Sequence, residues 1–125
     1  MGDCSIRRIE IPYGGADTIP LRFYDGVDYM DLSSVRGGMV NCRLMVKTAV
    51  GLDDGAELFH IDVADDGPGN DLANGLVMVP YTTAESKKTP GAYLWDAYVT
   101  FNSGGPLIRP NPPGDFIIVD TINRP

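Results

Sequence analysis

His60 is the chain's single histidine, which removes any multi-histidine metal site. General acid or base work by this imidazole needs a carboxylate partner in a pocket, and Asp62 is the nearest candidate. The surrounding residues alternate, with Phe59, Ile61 and Val63 on one side and Leu58, His60 and Asp62 on the other. That period of two predicts a strand whose outer face carries His60 and Asp62, where a histidine is a surface or interface residue.

The run Asp65-Asp66-Gly67-Pro68-Gly69-Asn70-Asp71 holds the oxygen ligands a hard cation wants, but not in the order that binds one. An EF-hand loop places acids at alternate positions ahead of a glycine, whereas here two adjacent acids precede a Gly-Pro pair. Asp53 and Asp54 cannot complete a site with them, because about five to seven strand residues at about 3.3 Å each hold the two groups roughly 20 Å apart. Asp53, Asp54, Asp65 and Asp66 are therefore expected as two acidic loop tips, available to a partner or simply solvated. Cys4 and Cys42 are too few for a disulfide framework and lack a C-x-x-C spacing, so Cys42 is expected as a small core residue. No G-x-S-x-G elbow, P-loop or G-x-G-x-x-G is present. The expectation is a protein without catalysis, cofactor or metal.

Two further groups suit recognition. Tyr24, Tyr29, Tyr81 and Tyr98 can line a sugar-binding face, since a flat ring stacks on a sugar while its hydroxyl bonds to it; the other reading is tyrosine at the edge of a core. Residues 104–113 form a Gly- and Pro-rich segment that offers Leu107, Ile108 and Arg109 on a stiff frame, either for a partner or as a long hairpin loop braced by proline.

These residues need a scaffold, and the hydropathy pattern supplies it. Val40, Cys42, Leu44 and Val46 alternate with Asn41, Arg43, Met45 and Lys47. With the strand around His60 they predict an antiparallel pair joined through Asp53-Asp54-Gly55. Ile9 and Ile11, then Ile19, Leu21 and Phe23, mark two earlier strands separated by Tyr13-Gly14-Gly15, and residues 76–79, 93–101 and 116–119 mark three later ones. Residues 81–88 look helical and are stopped by Thr89-Pro90-Gly91, which suits a short crossover between two sheets. About seven short strands in 125 residues predict one all-β domain over 1–125, an immunoglobulin-like antiparallel β-sandwich. Tyr93, two residues before Trp95, takes the place of the tyrosine corner of that fold, with Trp95 where a bridging cysteine would stand and Cys42 facing it from the opposing strand.

The formal net charge is -7, and it is localised. Eight of the 17 acids lie between Lys47 and Lys87 with no base among them, leaving nine acids against ten bases elsewhere. Such a chain has no positive field for nucleic acid or an anionic membrane. Met1-Gly2-Asp3-Cys4-Ser5-Ile6 runs into Arg7 and Arg8 without the apolar core of a secretory signal, so the expected place of synthesis is a cytoplasm.

Asp17-Thr18 with Ile19-Pro20-Leu21-Arg22-Phe23, then Asp25-Gly26 with Tyr29-Met30-Asp31-Leu32, resembles the opening of the N-terminal immunoglobulin-like domain of phage baseplate upper proteins and related tail proteins. The strand Val40 to Lys47 continues that likeness, and Thr89-Pro90-Gly91-Ala92-Tyr93-Leu94-Trp95-Asp96-Ala97-Tyr98 and Gly114-Asp115-Phe116-Ile117-Ile118-Val119 are similar to that family's Gly-x-Tyr strand and closing strand. The resemblance implies a virion structural protein, in the tail or baseplate or decorating the capsid, made in the host cytoplasm and built into the particle. It also implies binding to other virion proteins and to further copies of itself through loops and sheet edges. The alternative expectation is a carbohydrate-binding or host-adhesion module that uses Tyr24, Tyr29 and Tyr98.

Overall fold

The computed structural model describes residues 2–4, 8–25, 28–48, 57–104 and 107–120. The strands are β1 (Gly2–Cys4), β2 (Arg8–Pro12), β3 (Asp17–Asp25), β4 (Asp28–Tyr29), β5 (Met39–Lys47), β6 (Glu57–Ala64), β7 (Leu76–Tyr81), β8 (Gly91–Phe101) and β9 (Leu107–Val119). One helical turn, α1 (Thr83–Ser86), lies between β7 and β8. β3 pairs with β1, β4 and β7 to make one sheet, and the other has the order β2-β9-β8-β5-β6. Two sheets facing each other over one apolar core make a β-sandwich, and the β3–β7 and β6–β5–β8–β9 pairings are those of an immunoglobulin-like frame with an added edge strand.

The core follows from the alternation. Ile19, Leu21, Phe23, Val77 and Val79 come from one inner face, and Cys42, Leu44, Val46, Trp95, Val99 and Phe116 from the other. Trp95, the largest of them, is 1% exposed. Phe59 meets Phe116 edge to face, with ring centroids 5.6 Å apart, and so fastens the edge strand β6 to the core. Tyr93 forms the predicted corner: its hydroxyl donates to the Thr89 carbonyl at 2.6 Å. Capping by Thr82 and Glu85 satisfies the first amides of α1, and Ser86 on that turn donates to the Gly15 carbonyl at 2.6 Å, tying the crossover to the β2–β3 turn.

The structure corrects several expectations. Among the described residues there are nine strands, the expectation having missed β1 and β4, which are too short to show an alternation of their own. The sandwich is not wholly antiparallel, since β2 runs parallel to β9. The helical segment is α1 alone, half the expected length. Cys42 does not face Trp95 from an opposing sheet: both lie in the five-stranded sheet, with Cys42 opposite Val99 and Val46 opposite Trp95. The proline-rich segment is not a loop either, because Leu107, Ile108 and Arg109 belong to β9 opposite Val99, Tyr98 and Ala97. Residues 110–113 form a wide bulge against Asp96, where proline's missing amides cost no ladder bond. Val40, expected inside, is 44% exposed; the register shifts between Met39 and Asn41, so Met39 takes the inward position.

Candidate functional site

The outer face of the five-stranded sheet carries a polar network built on β5 and β6. Arg43 grips Asp62 with both arms, Nε to Oδ1 at 2.8 Å and Nη2 to Oδ2 at 3.1 Å, and the Asn41 amide donates to the same carboxylate at 3.2 Å. The hydrogen bonds from Arg43 hold the Asp62 carboxyl below its usual range, against the partial burial that pushes it up. His60 Nε2 stands 3.8 Å from Asp62, but its closer partner is Glu57, whose Oε1 lies 2.8 Å from Nδ1. Simple alternation puts Glu57 on the inward side with Phe59. The β5–β6 register shifts there, from Val46 opposite Phe59 to Lys47 opposite Glu57, so Leu58 is an extra residue and Glu57 moves to the outer face. His60 is thus an exposed member of a hydrogen-bonded polar network and not a base inside a pocket.

Beside the network the sheet holds a concavity of about 460 Å³. β5 contributes Asn41, Arg43, Met45 and Lys47 to its lining, and β8 contributes Asp96, Tyr98 and Thr100. Met45 lies between His60 and Asp96 in the ladders and, although on the outer face, is only 6% exposed. It forms an apolar floor under polar walls.

The four-stranded sheet presents a second surface. The antiparallel pairing of β3 with β4 brings Tyr24 opposite Tyr29, with ring centroids 5.3 Å apart and planes tilted by 50°. Arg22 lies over the Tyr29 ring, its guanidinium carbon 4.5 Å from the centroid, and Tyr29 is still 46% exposed. Leu76 stands opposite Arg22 and Met78 opposite Pro20 across the β3–β7 ladder. Sequence spacing alone leaves these two tyrosines unrelated; the Asp25-Gly26 dipeptide between them, a hairpin signal in the sequence, is what could have joined them. Tyr81, by contrast, is buried in the core, where desolvation and then the Asp17 charge push its phenol up.

Asp65 and Asp66 are exposed in the turn after β6, and Asn70 braces that turn by donating to the Ala64 carbonyl at 3.0 Å and accepting from the Met78 amide at 2.8 Å. Asp53 and Asp54 lie outside the described residues. Among the described residues no group of three or more His, Cys, Asp or Glu side chains is placed to hold a metal ion, and no helix is long and apolar enough to cross a membrane. No protein-family model matches this sequence, and no curated protein resembles it at a significant level.

Proposed function

We propose that this chain is a non-enzymatic structural protein of a phage or prophage virion, in the tail or baseplate or on the capsid, which acts by binding other virion proteins and further copies of itself. The observation that carries the assembly reading is the Arg22–Tyr29–Tyr24 cluster on the outer face of the four-stranded sheet. Tyrosine and arginine supply a large share of the binding energy where proteins meet, with methionine also enriched there, and this patch adds Met78 and Leu76 beside them. The three side chains already hold one another in place, so a partner loses little free energy in ordering them. Pro20 and Pro80 remove amide donors from β3 and β7, which favours docking on the face over addition of a strand at the edge. The virion assignment rests on the likeness of residues 17–47, 89–98 and 114–119 to phage tail proteins.

Mass spectrometry of gradient-purified particles whose genome encodes this chain tests the proposal. The chain is expected as a stoichiometric component that resists removal by salt washing. Particles that are complete and infectious without it would overturn the assignment.

A further inference from the structure

The geometry points to a second site, beyond the assembly role: the concavity over Met45 is a binding site for a neutral saccharide. Its charged side chains are already engaged. Arg43 is held at both ends of its fork by Asp62, and Lys47 and Asp96 each interact within the protein. Its neutral hydrogen-bonding groups are not. Among the described residues the Tyr98 and Thr100 hydroxyls have no hydrogen-bond partner, and the Asn41 amide uses its nitrogen on Asp62 while its oxygen stays open. A charged ligand would have to break the Arg43–Asp62 pair or compete with it. A polyol without charge meets two hydroxyls, which donate and accept, and one amide oxygen, which accepts.

The apolar part of the site matches as well. A pyranose has a face of C–H groups, and the Tyr98 ring, 38% exposed, offers it polarisable surface above the largely buried Met45. The volume of about 460 Å³ falls within the roughly 300–1,000 Å³ of small-molecule sites. The two tyrosine surfaces differ in this respect. On the four-stranded sheet Arg22 already covers a Tyr29 face and Tyr24 packs beside it, whereas Tyr98 has no ring or cation contact among the described residues.

An amide-resolved NMR titration of the whole chain with maltotriose, lactose, mannotriose and chitotriose tests the site. The expected result is a saturable shift of Asn41, Met45, Tyr98 and Thr100 with at least one of these sugars, with no tighter binding of glucose 6-phosphate. Tyr98→Ala should weaken that binding roughly tenfold or more, and Tyr98→Phe, which keeps the ring and the fold but loses the hydroxyl, by a smaller factor. Absence of shifts with all four sugars, shifts confined to other residues, tighter binding of the phosphorylated sugar, or unchanged affinity in Tyr98→Phe and Tyr98→Ala would each overturn the site. So would shifts of these residues that follow protein concentration without sugar, which would show a second copy covering the face.

Discussion

Gly75 shows how much the fold asks of a single residue. It sits at φ 72°, its amide donates to the Leu72 carbonyl at 3.0 Å, and its carbonyl accepts from the Phe23 amide at 2.8 Å. A β-carbon there would stand 2.5 Å from the Phe23 carbonyl oxygen and 2.9 Å from that of Met30. Both are backbone atoms that cannot swing away, and the left-handed conformation is itself costly for other residues. Gly75→Ala is expected to lower the unfolding free energy by roughly 1–3 kcal/mol in a urea titration, and an unchanged midpoint would contradict that account. The sequence shows only an Asn-Gly turn at this point, because the crowding comes from carbonyls some 45 to 52 positions upstream. Tyr93 is the opposite case. Its corner was legible because its partner, Thr89, lies four residues before it in the same segment.

Among the elements, β6 holds the network that the outer face depends on. The period of two made β5 and β6 legible as an antiparallel pair, with Cys42, Leu44, Val46 and Val63 on the inner face as expected, but a bulge is a property of two strands in register and one strand's alternation cannot reveal it. For that reason Val40, expected inside, lies on the outer face, Leu58, expected outside, packs against the core, and the Glu57–His60 pair had no signal in the sequence. The Pro-rich part of β9 was hidden for the same reason, since proline is excluded from ladders and admitted to bulges. The Arg43–Asp62 pair gives this element a pH dependence of definite sign. A carboxyl whose folded value is depressed contributes stability above its unfolded value and loses it as pH falls through the folded one. Asp62→Asn should therefore cost more at pH 7 than near pH 3. Because both side chains are more than a third exposed, the neutral-pH cost is expected at no more than about 1 kcal/mol. Thermal unfolding of both proteins at the two pH values measures this, and a gap that widens in acid would contradict it.

For the whole molecule, the sandwich separates two kinds of surface. One sheet turns outward a preordered Arg22–Tyr29–Tyr24 cluster; the other turns outward a paired-charge network beside a concavity with open hydroxyls. The sandwich itself was readable from strand spacing and turn chemistry, which are local. Its outer faces were not, because each gathers residues from strands that meet only once the sheets form. The acidic excess between Lys47 and Lys87 is divided in the same way: the described turn carries Asp65 and Asp66 at one end of β6, and Glu57 and Asp62 join the outer network. The central claim is that the chain enters a particle through the tyrosine–arginine face. It is tested most directly by making Arg22→Ala/Tyr29→Ala protein to the wild-type soluble level and counting copies per purified particle by quantitative mass spectrometry. A fall of roughly tenfold or more is predicted, as expected when two interface anchors are removed; incorporation at the wild-type level would contradict the claim.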